Sequence, residues 1–93
     1  MSRIVMKFGG TSVGSVERIN HVADIVRSEV EAKNQVVVVL SAMAGETDRL
    51  VNLTKDLSKD FSASEYDVVI SSGEQVSVGA LSGLLNSLGV RSQ

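Results

Sequence analysis

An α/β fold built on a mainly parallel sheet is what this sequence predicts, and three observations lead there. The run Arg3 to Phe8 is short, apolar and β-favouring, and Gly9-Gly10 interrupts it. A segment of helical period follows. Val36-Val37-Val38-Val39-Leu40 is then a β-branched run with no polar alternation, the pattern of a strand apolar on both faces and covered by helices on each side. Strand, helix and strand in that order make a right-handed βαβ unit with parallel strands.

The first helix is expected from Val16 onward. Val16, Ile19, Val22, Ala23, Val26 and Val30 recur at spacings of three and four and define one apolar face. Ser15 suits the N-cap and Glu17 complements the helix dipole. Arg18, His21, Asp24, Arg27, Ser28 and Glu31 occupy the other face, and Lys33-Asn34 ends the helix. After the second strand, Ser41 to Asp48 turns the chain, with Gly45 for the bend and Thr47 or Asp48 as cap. A second helix follows with Leu50, Leu53, Thr54, Leu57 and Phe61 inward.

Asp60 to Glu65 is small and polar and reads as a loop. Asp67 to Ile70 fits either a buried strand or a helical turn. Ser71 and Glu74 have capping-box spacing and mark a helix start. Ser77, Leu81, Leu84, Leu85 and Leu88 then line one face, and Gly89 ends the helix as a C′ residue. Gly79 and Gly83, four apart, would let another backbone come close. Val90 to Gln93 reads as the beginning of a further element. Two strands and three helices do not close a doubly wound sheet, so a longer protein or partner chains are expected to complete it.

Composition narrows the function classes. The 93 residues suffice for one small domain, and 43% hydrophobic content calls for a packed core. Aromatics are only 3%, so Val, Leu, Ile, Ala and Met must build it. A net charge of −2 with interspersed signs gives no nucleic-acid footprint. Without cysteine and with one histidine, disulfides and thiolate metal sites are excluded and a structural zinc site is implausible. No signal-peptide core is present at the start and no apolar run approaches membrane-spanning length, so a cytoplasmic chain without membrane or nucleic-acid partners is expected.

The chemistry-bearing residues fall at the strand ends. In open α/β sheets ligands bind along the C-terminal edge, where both βα turns leave their strands. Lys7-Phe8-Gly9-Gly10-Thr11-Ser12-Val13-Gly14-Ser15 places a cation, two glycines, hydroxyls and a helix start together, a cradle for an anion such as phosphate. Lys7 alone fits equally a solvated lysine at a strand end. No lysine follows Gly14, which disfavours a Walker-type loop, and the glycine spacing is wrong for a dinucleotide fingerprint. For Ser41 and Thr47 the plain alternative is helix-entry chemistry, and for Glu74 it is the capping box. His21 reads as solvated.

Three blocks resemble the aspartate kinases, within the amino acid kinase family. They are Lys-Phe-Gly-Gly-Thr-Ser-Val at 7–13, Val37 to Asp48, and Ser71-Ser72-Gly73-Glu74-Gln75-Val76-Ser77, in that order and spread over essentially the whole chain. The resemblance implies a partial three-layer α/β/α fold of the amino acid kinase type, the chain being the N-terminal part of the catalytic domain (1–93) with no regulatory ACT domain. It implies phosphoryl transfer from ATP, with Mg2+, to the β-carboxylate of L-aspartate, in lysine, threonine and methionine synthesis. By position, Lys7 would be catalytic, stabilising charge on the phosphates. Gly9, Gly10, Thr11 and Ser12 would hold phosphate oxygens. Ser41 and Thr47 would line the substrate region, and Glu74 would meet the α-ammonium group. No metal-ligating residue is assigned. A homo-oligomer or the remainder of a kinase chain would be the partner, and this stretch alone would be inactive. Alternatives are a free-standing, non-catalytic phosphate-binding or assembly module, and a relative with another acceptor.

Overall fold

Six elements follow one another in a computed structural model that describes residues 2–93: β1 (Arg3–Phe8), a 3-10 turn (Gly10–Val13), α1 (Val16–Glu31), β2 (Gln35–Leu40), α2 (Glu46–Leu57) and α3 (Ala63–Ser87). β1 and β2 pair in parallel, with Arg3 opposite Gln35 and Phe8 opposite Leu40. The expected βαβ unit is therefore present. Its ladder is extended at both ends, by Gln35 N–H to Ser2 O at 2.8 Å and Ser41 N–H to Phe8 O at 3.1 Å.

α1 forms where the period predicted it. Ser15 caps it, its hydroxyl accepting from Arg18 N–H at 3.2 Å, and Ile19, Val22, Ala23 and Val26 are buried. Val16 is 77% exposed instead of inward, because the first helical residue lies beyond the end of the core. The helix closes in a Schellman motif: Lys33 N–H bonds Val30 O at 3.0 Å and Asn34 N–H bonds Glu29 O at 3.1 Å. Lys33 takes the left-handed conformation there, φ 70°.

The core joins α1, the sheet and the C-terminal half of α3. Val13, Ile19, Val22, Ala23, Val26, Leu40, Leu81 and Leu85 form it, with Met6, Phe8, Val36 and Val38 packed against them. Only one sheet face is covered in this way. Arg3, Val5 and Lys7 alternate onto the other face of β1, and Val5, Val37 and Val39 are 67%, 49% and 47% exposed. The expectation of helices on each side of β2 is met on one side by the described residues, so two layers of the three are present.

α3 departs most from the sequence reading. Ala63–Ser87 is one 25-residue helix, so Asp67 to Ile70 is helical, the expected loop at 60–65 ends at Ser62, and no helix starts at Ser71. The Ser71–Glu74 capping box does not form. Ser71 and Ser72 sit inside the helix, and their hydroxyls donate back to Val68 O and Val69 O, at 3.1 and 2.6 Å. Joined in this way, α3 is long and apolar enough, by length and composition alone, to cross a membrane, contrary to the expectation from the separate pieces. Core helices share that property, and Gly73, Ser77, Leu81 and Leu85 are buried here against the rest of the chain. Leu88 is 39% exposed at the helix end. Gly89, φ 87°, is the expected C′ residue, with Val90 N–H bonding Leu85 O at 2.9 Å. No atom lies within 4 Å of a Cβ built at Gly79 or Gly83, so the close backbone approach expected there is not made.

α2 packs on α3 and buries Leu50 and Thr54, while Leu53 and Leu57 remain 44% and 67% exposed because no further element covers them. Its N-cap is Gly45 in the left-handed region, φ 81°. Thr47 and Asp48 lie in the first turn and do not cap it.

Candidate functional site at the C-terminal edge of the sheet

Two βα loops leave the C-terminal ends of β1 and β2 and are locked to each other. Ala44 N–H donates to Gly10 O at 3.1 Å. A Cβ at Gly10 would lie 2.8 Å from Ala42 O and 3.3 Å from Ala44 N, so the loops approach to a distance only glycine permits. Gly14 extends the contact, its Cβ position 3.5 Å from Ala44 Cβ. Val13 anchors the 3-10 turn from beneath, fully buried in the core.

The 3-10 turn was not foreseen. It arises from Ser12 N–H to Gly9 O at 3.1 Å and Gly14 N–H to Thr11 O at 3.4 Å. The turn, Gly10–Val13, stands between β1 and α1, whose own N-terminus is already served by Ser15. The donors of the loop are therefore those of the turn itself, with Thr11 exposed and Ser12 half-buried on it.

Gly9 contrasts with Gly10. Its φ of −77° and ψ of 175° are open to any residue, and a Cβ there meets nothing within 4 Å. Nothing in the fold requires glycine at this position. A bare backbone beside open space at a strand's end is what close approach of a ligand needs.

Lys7, one residue earlier, pairs in register with Val39 and projects with Val5 from the uncovered face. Lys7 and Gly9 to Ser12 thus share one strand end. Ser41 follows β2 at the same edge, half-buried, and Thr47 is exposed in the first turn of α2.

Glu74 arrives from the middle of α3 and not from a helix start. One residue before it, Gly73 is buried, its Cβ position 3.2 Å from both Ala42 Cβ and Leu50 Cδ1 and 3.4 Å from Glu46 Cγ. Three residues after it, the Ser77 hydroxyl donates to Ser41 O at 2.7 Å. The exposed Glu74 is thereby held next to the Ser41 turn. Gly73 and Ser77 were read only as parts of a block and of an apolar face. The available signal was that Ser77 is the lone polar residue on that face.

Beside this edge, Glu46 and Arg49 pair one helical turn apart, with Arg49 Nε 3.1 and 3.2 Å from the two carboxylate oxygens. The hydrogen bond from Arg49 holds the Glu46 carboxyl below its ordinary range and Arg49 above its own. A second concavity runs along β2 between α1 and α3, lined mainly by aliphatic side chains such as Val30, Val36, Val38, Leu81 and Leu85, and Leu40 brings its end up to the Ser41 loop.

The sequence profile of the amino acid kinase family matches residues 2–93. This chain belongs to the amino acid kinase family. Among the members it resembles are an aspartokinase of Geobacillus stearothermophilus, 54% identical over 91 residues, and an aspartate kinase of Pseudomonas fluorescens, 54% identical over 92. These alignments take in 98% and 97% of this chain and 22% of each relative, so the chain spans about a fifth of their length. A crystal structure of aspartate kinase from Synechocystis superposes with a TM-score of 0.87 at 48% identity, over 92% of this chain and 15% of that one. The α/β architecture with its parallel strands is therefore that of a family member, in part.

Proposed function

We propose that the chain is the N-terminal part of an aspartate kinase catalytic domain and supplies the phosphate end and part of the acceptor end of its site. The reaction is attack of the β-carboxylate of L-aspartate on the γ-phosphorus of ATP, giving aspartyl phosphate and ADP, the entry to lysine, threonine and methionine synthesis in the cytoplasm. The observation that carries this reading is the pairing of Lys7 with an unexplained open glycine, Gly9, at a strand end clasped to the Ser41 loop.

Phosphoryl transfer demands positioning and positive charge more than covalent chemistry. Lys7 supplies the charge. Gly9, Gly10, Thr11 and Ser12 supply backbone and hydroxyl donors for phosphate oxygens. Ser41 and Thr47 line the acceptor, and the Glu74 carboxylate pairs with its α-ammonium group. Bound ATP brings the phosphoryl group and its Mg2+ shields the phosphate charge. Among the described residues no three His, Cys, Asp or Glu side chains gather into a metal cage. The part assigned to this chain is accordingly charge stabilisation and orientation. The remainder of the kinase chain, or further copies, completes the site and covers the bare sheet face.

The test is Lys7→Ala in the whole kinase. Loss of one preorganised charge at the transferring group should lower kcat by about 10²–10³-fold. In the 93-residue chain Lys7 is exposed and outside the core, so the same substitution there should leave the melting temperature in place. Native turnover in the variant would remove Lys7 from the mechanism. The 93-residue chain, given ATP and aspartate in a coupled assay for ADP, should show no turnover.

A further inference from the structure

Two polar side chains lie in the interior, Thr54 and Ser77, 2% and 1% exposed. Thr54 is satisfied locally, donating to Val51 O at 2.8 Å. Ser77 is not. Its hydroxyl lies 3.0 Å from Glu74 O within its own helix, yet its shorter contact, 2.7 Å, crosses 36 residues to Ser41 O. A hydroxyl has one proton to donate, and the shorter partner takes the larger share of it. Ser71, Ser72 and Ser87 of α3 settle for the carbonyl three residues back, and Ser82 reaches Ser92 beyond the helix end. Ser77 alone reaches from α3 to a βα loop.

Gly73 makes the second point of contact, one helical turn earlier on the same face. With Ala42 Cβ 3.2 Å from where its Cβ would be, α3 lies so close to the loop that a methyl group there would push its neighbours back by a few tenths of an ångström. Two contacts four residues apart fix both the rotation and the axial height of the helix against residues 41 and 42. Glu74 lies between them along the helix axis and about 60° round from Ser77, so both coordinates pass to its carboxylate.

We propose that Ser77 is a positioning residue, whose hydrogen bond to the Ser41 carbonyl sets Glu74 in register with the Ser41 loop so that the two meet one acceptor molecule. This rests on the reading of Ser41 and Glu74 as acceptor contacts. The clasp between Gly10 and Ala44 holds the phosphate loop by separate bonds, so Ser77 governs the acceptor and not the nucleotide.

The experiment is steady-state kinetics of the whole kinase carrying Ser77→Ala, Ser77→Cys or Glu74→Gln, each with a melting curve. Loss of one such hydrogen bond should raise KM for aspartate about three- to tenfold in Ser77→Ala. KM for ATP should stay within about twofold, and Ser77→Cys, with a weaker donor of similar size, should fall between. A Ser77→Ala protein with a lowered melting temperature and native KM for aspartate overturns the proposal and leaves Ser77 a packing residue. If Ser77→Ala does not fold, Ser77→Cys decides: a raised KM for aspartate alone supports the proposal, and native constants overturn it. Glu74→Gln separates the two levels. If it leaves KM for aspartate unchanged, the acceptor reading itself fails. If it raises that KM while both Ser77 variants remain native, only the positioning role fails.

Discussion

Gly10 and Gly9 are neighbours in sequence, and a methyl group added to each should have opposite effects. At Gly10 the new Cβ would stand 2.8 Å from Ala42 O and 3.3 Å from Ala44 N. Both are backbone atoms, so no side chain can swing aside. The loops must part, straining the 3.1 Å bond from Ala44 N–H to Gly10 O. Overpacking of this kind costs about 1–3 kcal/mol, and weakening the bond adds about 1. Gly10→Ala should therefore lose about 2–4 kcal/mol, a large part of a small domain's total stability. At Gly9 nothing lies within 4 Å and the backbone is extended, so Gly9→Ala should fold as well or better, by about 0.4–1 kcal/mol, through a less flexible unfolded chain. In the whole kinase the same methyl would stand where phosphate oxygens approach, and misplacement on that scale costs on the order of 10²-fold in kcat/KM. Urea denaturation followed by circular dichroism reads the first effect, and a coupled ADP assay reads the second. Less than about 1 kcal/mol lost at Gly10 would refute the loop clasp. Full activity with alanine at position 9 would refute ligand approach there.

Two further outcomes test the local physics. Lys33 occupies the C′ position of α1 at φ 70°, a conformation costing a non-glycine residue about 1 kcal/mol, so Lys33→Gly should raise the unfolding free energy by that much, seen as a higher urea midpoint with an unaltered slope. Arg49 depresses the carboxyl pKa of Glu46, so the pair contributes stability above the ordinary carboxylate range and loses it as pH falls through the lower, folded-state pKa. Glu46→Gln should flatten that acid-side slope in a melting series, and added salt should shrink it in the parent, because Arg49 is 64% exposed.

The sequence carried the βαβ unit because each of its signals was strong and local. β1, α1 with its Ser15 cap, and β2 all lie where the periodicity placed them. α3 was misread because Ser71 and Glu74 imitate a capping box, a motif that is also compatible with a helix interior when serine hydroxyls bond back to carbonyls. The run of small residues around it lowered the apparent helix propensity, and packing of Gly73 and Ser77 on the Ser41 loop overrode that. Misplacing the helix start gave Glu74 a structural duty it does not have. Without the cap, its carboxylate stands exposed on the helix surface. The membership of the amino acid kinase family was legible in three blocks. The loop clasp was not, because it depends on a contact between residues more than thirty apart, and the 3-10 turn, though local, carries no periodic signal in four residues.

Those contacts also explain how the labour is divided along the chain. Small residues make the close contacts at the C-terminal edge. Gly10 meets Ala42 and Ala44, Gly73 meets Ala42, and Ser77 meets a carbonyl. The residues with charge or free hydroxyls, Lys7, Thr11, Thr47 and Glu74, are exposed beside them. Small residues bring backbones close enough to fix geometry, and exposed polar ones then face whatever enters the edge. Val5, Val37 and Val39 complete the argument from the other side, since Lys7 shares their bare face. A layer packed over those valines would exclude water around the Lys7 ammonium as well, strengthening its attraction for phosphate. An element that covers those valines would then also set the surroundings of the Lys7 ammonium, so the proposed charge of Lys7 and what lies over it cannot be designed apart.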